Sequence, residues 1–292
     1  MKEFFGIGGY TRQPEGYMSW QHLTFVTSLM IIMIAAAIIL GLMAKKKGSP
    51  FINRVLVVSA ILIDSLEIVK IALTCYEEGG IAGLRTTLPL FLCSIQLITI
   101  PLAAFSKGRI KEAALDFVFI FGILGAVLGT YGAGQNYNAY PVLSFTNVVS
   151  GLTHSISGFA SLYIGITGLT SMKKKNIWIT FSIMLGFAAA ALVANELLDY
   201  NYMFLKNHDG TPYVIFYNMV GGNPILYPII VILLFILYIF IFYAVHFYIE
   251  KRMVKNNDVQ NEASENTDST AENKEEALES SPESNESFSE ML

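Results

Sequence analysis

The chain has 292 residues, of which 53% are hydrophobic and only 14% charged. Soluble domains carry roughly 25% charged residues, so this composition excludes an ordinary soluble protein and places the chain in lipid. The formal net charge of −4 hides an asymmetry: residues 256–292 hold eleven acids and one base, so residues 1–255 carry a net +6.

Residues 1–22 form an outer interfacial segment, with Phe4, Phe5, Tyr10, Tyr17 and Trp20 among glycines and charges, because aromatics favour the membrane–water boundary. No cleavable signal peptide is read there, since the first apolar run is long enough to span. The pattern predicts an all-α polytopic domain over residues 23–250 with seven transmembrane helices. They fall at about 23–44, 54–76, 88–105, 113–131, 147–171, 177–199 and 225–248, each near the ~20 residues a hydrocarbon core needs. Thirteen bases flank one set of span ends (Lys45, Lys46, Lys47 and Arg54; Lys107, Arg109 and Lys111; Lys173, Lys174 and Lys175; Lys251, Arg252 and Lys255), against four at the other, Lys2, Arg12, Arg85 and Lys206. The positive-inside rule then predicts the N-terminus outside and the C-terminus in the cytoplasm. Residues 251–292 are expected to be a disordered acidic cytoplasmic tail, because the stretch from Asn256 has almost no apolar residues to bury. No internal repeat is visible, which disfavours the inverted-repeat transporter plans.

The third span opens Thr86-Thr87-Leu88-Pro89-Leu90 and carries Cys93 and Gln96. A proline suits the first turn of a helix, and residues three apart share a helix face. The second span carries Asp64, Glu67 and Lys70 at three-residue spacing. A charge in a span costs at least ~2.5–3.5 kcal/mol, so either Glu67 and Lys70 neutralise one another or the carboxylates line a polar pocket. The fifth span carries His154 beside Ser150, Ser157, Gly158 and Ser161; the serines suit close packing, and the histidine suits either a structural hydrogen bond or chemistry. The sixth ends in Asn195, Glu196, Asp199, Tyr200 and Asn201, and His22 begins the first. With the expected orientation, these groups converge on one layer in the outer half of the membrane. Cys93 alone reads as a small core hydrophobe; with an imidazole at its level it becomes a candidate nucleophile. The two cysteines, Cys75 and Cys93, make no C-x-x-C, zinc pattern or disulfide framework. No nucleotide, metal or nucleic-acid motif appears, so no cofactor and no metal site are expected.

Leu88-Pro89-Leu90 followed by Cys93, the string Ser19-Trp20-Gln21-His22-Leu23, His154, and the string Asn201-Tyr202-Met203-Phe204-Leu205 resemble the YwaF-type integral membrane proteins of bacteria, over about residues 5–250. Animal relatives of that family are described as acyltransferases acting on ether phospholipids through a cysteine and a histidine. The resemblance implies that Cys93 is the cysteine, His154 the histidine, and a membrane phospholipid or lysophospholipid the partner. The expected function is lipid acyl transfer in an outward-facing polar cavity of a multi-pass cell-membrane protein. Glu67 is the candidate to orient His154. Gln96 or Asn195 is the candidate oxyanion donor, and Glu196, Asn201, His22 and Asp64 are further candidates for binding. The rival readings are a transporter coupled to protons or cations through Asp64, Glu67, Lys70 and Glu196, and a membrane sensor or assembly protein. The orientation has a direct test: on intact cells, a tag at residue 1 is labelled by impermeant reagents and one at residue 292 is not, and the opposite pattern overturns it.

Overall fold

The computed structural model describes residues 2–170 and 172–279, with side chains left undescribed at 2, 49, 81 and 253–279. Among the described residues, seven main helices follow in order: α1 (Trp20–Lys47), α2 (Ser49–Glu77), α3 (Gln96–Phe105), α4 (Gly108–Tyr131), α5 (Phe145–Thr167), α6 (Ile177–Leu198) and α7 (Leu226–Glu279). Local chemistry sets several of their ends. Ser19 caps α1 by accepting from the His22 N–H at 3.2 Å, and Ser144 caps α5 through the Asn147 N–H at 3.3 Å. A single residue, Gly48 at φ 84°, turns the chain from α1 into α2, a left-handed geometry that glycine adopts without a Cβ clash.

The chain divides into two compact units, residues 1–242 and 243–292. In the first, α5 packs on α4, α1 and α2, and α3 packs on α2 and α4. Small residues permit this. A Cβ at Gly122 of α4 would lie 2.6 Å from the Ser157 carbonyl oxygen of α5, and one at Gly151 of α5 would lie 2.8 Å from Leu29 of α1. Gly158 and Gly165 follow Gly151 at seven-residue steps and leave room for Met33 and Phe119. In lipid, apolar transfer brings helices together little, so close packing of this kind carries the association. Below it lies an apolar core of Leu56, Ala60 and Ile63 from α2, Ile100 and Ala103 from α3, Leu115 and Val118 from α4, and Tyr163 and Ile164 from α5. The second unit continues α7, with Tyr243 and Phe247 in ring contact and Arg252 over the Tyr248 ring. The backbone is helical through Glu279, although composition alone gives that stretch no core to build; residues 280–292 of the expected tail lie outside the described residues.

Among the described residues, four helical stretches are long and apolar enough to cross a membrane: Trp20–Lys47, Gly108–Ala139, Lys174–Leu198 and Leu226–Arg252. The other three expected spans differ in instructive ways. α2 and α5 have the length, 29 and 23 residues, but α2 holds Asp64, Glu67 and Lys70, and α5 is rich in serine, threonine and glycine. The third expected span is not one helix. Residues 88–95 are irregular, and α3 proper has 10 residues, a rise of about 15 Å. Pro89 therefore starts no helix, and Cys93 shares no helix face with Gln96. Cys93 sits in a tight turn closed by the Gln96 N–H on the Cys93 carbonyl at 3.2 Å and the Ile95 N–H on the Phe91 carbonyl at 3.1 Å.

One joint escapes the sequence pattern. Asp116, fully buried on α4, accepts from the Thr170 hydroxyl at 2.5 Å, the Asn176 amide at 2.7 Å and the Met172 N–H at 3.2 Å. It ties α4 to the connection that leads into α6, and Lys173 pairs beside it with Glu112 at 3.0 Å. Asp116→Ala strands three donors and is expected to cost about 3 kcal/mol. The fall shows as a lowered Tm of the detergent-purified protein, and an unchanged Tm removes this joint from the fold's support.

Candidate functional site

The site grows from the glycine face of α4. A Cβ at Gly129 would overlap the His154 imidazole of α5, so the ring lies flat against that glycine. The ring also lies near the Gly125 carbonyl, one turn back along α4. On the same face, a Cβ at Gly125 would stand 3.7 Å from Cys93 Cβ and 3.8 Å from its Cα. Gly125 is thus in contact with the Cys93 turn, one turn from the glycine that the His154 ring covers. Both residues are half-buried, and Cys93 and Cys75 are free thiols.

The charges of α2 border this pair. Lys70 forms an ion pair with Glu67 at 2.7 Å, with the carboxylate the more buried partner. Lys70 is near enough to act electrostatically on both Cys93 and His154, and Glu67 on Cys93. Glu67 therefore answers to Lys70, and the charge bearing on His154 is the ammonium. Gln96 is fully buried; its oxygen accepts from the Thr99 hydroxyl at 3.1 Å, and its Nε2 finds no partner among the described residues. Ser157, one turn along α5 from His154, has a buried Oγ in the same condition. Asp64 stands apart. It faces a groove of about 460 Å³ lined by Leu97, Ile98, Pro101, Leu102, Phe105 and Ser106, and its Oδ1 is buried without a partner.

Three other candidates have structural partners. Asn195, fully buried near the end of α6, donates to the Tyr202 carbonyl at 3.0 Å and accepts from the Tyr202 N–H at 2.6 Å, so both ends of its amide bond one residue. Asn201 staples its own loop, donating to Asp209 at 2.6 Å and accepting from the Lys206 N–H at 2.8 Å. His22, buried at the start of α1, bridges the Met18 N–H and the Thr130 carbonyl, each at 3.2 Å, and packs on the Tyr137 ring at 4.0 Å. Glu196 is exposed on α6. Outside the helices, the Lys206 ammonium at 3.1 Å and the Arg85 guanidinium at 3.6 Å hold the Asp199 carboxyl below the usual carboxylate range. Among the described residues, no three His, Cys, Asp or Glu side chains gather as a metal site would require.

The structure brings together two strings that are far apart in sequence. The Tyr202 hydroxyl donates to the Arg85 carbonyl at 2.7 Å and accepts from the Leu88 N–H at 3.1 Å. The Phe91 ring packs on Tyr202 at 5.3 Å and Phe204 at 5.7 Å. Asn201–Leu205 therefore sits directly on Leu88–Cys93. Sequence reasoning missed Tyr202, Gly125 and Gly129. The spacing of Gly122, Gly125 and Gly129 within an apolar span was the available signal for the glycines, since small residues on one helix face mark close approach.

Neither the curated proteins nor the solved structures yielded a match. The sequence model of the TMEM164 family matches residues 17–243, which takes in α1 to α6, the Cys93 turn and the membrane part of α7 up to residue 243. With that match over most of its length and four helices able to cross a bilayer, the chain is a multi-pass membrane protein that belongs to the TMEM164 family.

Proposed function

We propose that this protein transfers acyl groups between membrane lipids through a thioester on Cys93. The observation that carries the reading is that Cys93 and His154 both lie on the glycine face of α4, Cys93 at Gly125 and His154 one turn along at Gly129. The turn before α3 brings the thiol to Gly125 and α5 brings the imidazole to Gly129, so two segments far apart in sequence meet one face of α4. The YwaF-type resemblance and the family's animal members, described as ether-lipid acyltransferases, point to the same chemistry.

In this scheme His154 takes the proton of the Cys93 thiol, and the sulfur attacks the carbonyl carbon of a phospholipid ester. The tetrahedral intermediate collapses, the C–O bond breaks, and the departing lysolipid oxygen takes the proton back from His154. A second lysolipid hydroxyl then gives its proton to His154 and attacks the thioester. The C–S bond breaks, and the sulfur regains the proton. Lys70, held by Glu67, is placed to stabilise negative charge as it develops, and the unpaired Gln96 Nε2 is a donor available to the oxyanion. In this arrangement Glu67 acts through Lys70. The proposal includes seven membrane segments with the N-terminus outside, which puts the site in the outer half.

Asp64 favours a second reading. Its unpaired oxygen in the α2–α3 groove is what a proton or cation path would use, and intramembrane carboxylates often mark such paths.

One experiment separates the two. Purified protein given a phospholipid donor should acquire a hydroxylamine-sensitive acyl group on Cys93. Cys93→Ala should abolish the label with Tm unchanged, His154→Ala should slow acylation about 100-fold or more, and Cys75→Ala should change nothing. Gly129→Ala, whose new methyl displaces the imidazole, should slow it as well. Full lipid acylation by Cys93→Ala ends the thiol mechanism. Ion flux that survives in Cys93→Ala and disappears in Asp64→Asn establishes transport in its place.

A further inference from the structure

Cys93 lies in a segment that no regular helix holds. Between Thr87, where a short helix ends, and Gln96, where α3 begins, the backbone bonds within the segment are the Leu90 N–H on the Leu88 carbonyl and the Ile95 N–H on the Phe91 carbonyl, while the carbonyls of Cys93, Ser94 and Ile95 accept from the first turn of α3. The start of the segment, before that turn, is held by Tyr202. Its hydroxyl grips the segment's start at both Arg85 and Leu88, and its ring packs on Phe91 two residues before Cys93. Tyr202 is itself immobilised. It is fully buried, and the Asn195 amide takes both its N–H and its carbonyl. Met203 and Phe204, which follow it, stand at φ 56° and 57°, left-handed values that side chains other than glycine adopt only when the surroundings impose them.

We propose that Asn195 and Tyr202 form a clasp that positions the Cys93 sulfur, with the Tyr202 hydroxyl as the positioning group. The clasp holds the Cys93 turn against Gly125, one turn along α4 from the glycine that the His154 ring covers. This gives Asn195 a role different from oxyanion donation: it acts on Cys93 through Tyr202, from the end of α6. The proposal rests on the reading of Cys93 as the nucleophile for its catalytic consequence, but the geometric claim has its own readout. A thiol held by a clasp is shielded, and one released from it is exposed.

The test uses full-length protein in detergent with Cys75→Ser, so that Cys93 is the one thiol. Tyr202→Phe keeps the ring and removes only the oxygen. Phe91→Leu trims the ring contact without touching a hydrogen bond and serves if Tyr202→Phe does not fold. Tyr131→Phe, which removes a hydroxyl bonded to Thr27 on α1, is the control. The clasp requires maleimide labelling of Cys93 to quicken about threefold or more in Tyr202→Phe or Phe91→Leu and to stay at the parent rate in the control. It also requires acylation of Cys93 to slow about tenfold or more, because small displacements of a nucleophile are costly in rate. Unchanged labelling in both variants overturns the clasp, whatever the acylation result. Faster labelling in a protein whose parent is never acylated keeps the clasp and discards acyl transfer.

Discussion

Close approach of α4 to α5 is the constraint on which the rest of the first unit depends. At Gly122 the two backbones leave no room for even one carbon, and the Ser161 hydroxyl donates across the gap to the Phe119 carbonyl at 2.7 Å. Dispersion and hydrogen bonds of this kind hold helices together in lipid, where burying one more apolar side chain gains little. The same glycine face then leaves space, further along, for the side chains that are not apolar. The imidazole of His154 occupies the space at Gly129, and the Cys93 turn occupies the space at Gly125.

The interrupted third segment follows from that arrangement. Irregular backbone packed among helices needs partners for the N–H and C=O groups that no helix ladder satisfies. Here its exposed groups are satisfied from a distance: the Tyr202 hydroxyl serves Arg85 and Leu88, and Asn195 serves Tyr202. An unbroken helix over the same residues would have pointed Cys93 along one fixed face. The turn lets it stand where α4 offers a glycine.

One stripe of α2 shows how environment separates similar groups. Glu67 and Lys70 neutralise each other beside the thiol. Asp64, one turn away, looks into an apolar groove at the α2–α3 seam with an oxygen left unpaired. The carboxylates therefore do not form one polar layer with Cys93 and His154. Of the polar residues gathered by depth alone, His22, Asn195 and Asn201 are occupied in holding chain segments together.

Local chemistry in the sequence determined a good deal. The helices start and stop near where the apolar runs do, because Ser19, Gly48 and Ser144 carry their capping information in themselves. Cys93 and His154 stood out as candidates because a thiol and an imidazole are conspicuous in apolar surroundings. The partners were not. Hydropathy counts residues without asking which carbonyl a tyrosine will reach, so 88–105 read as one helix, and Asp116, with its donors more than fifty residues away, carried no local signal. Likewise, nothing near Glu67 in sequence distinguishes orienting a histidine from neutralising a lysine. Only the tertiary structure decided those questions, because a side chain's role in a membrane is set by which neighbour satisfies its charge or hydrogen bond, and that neighbour comes from another helix.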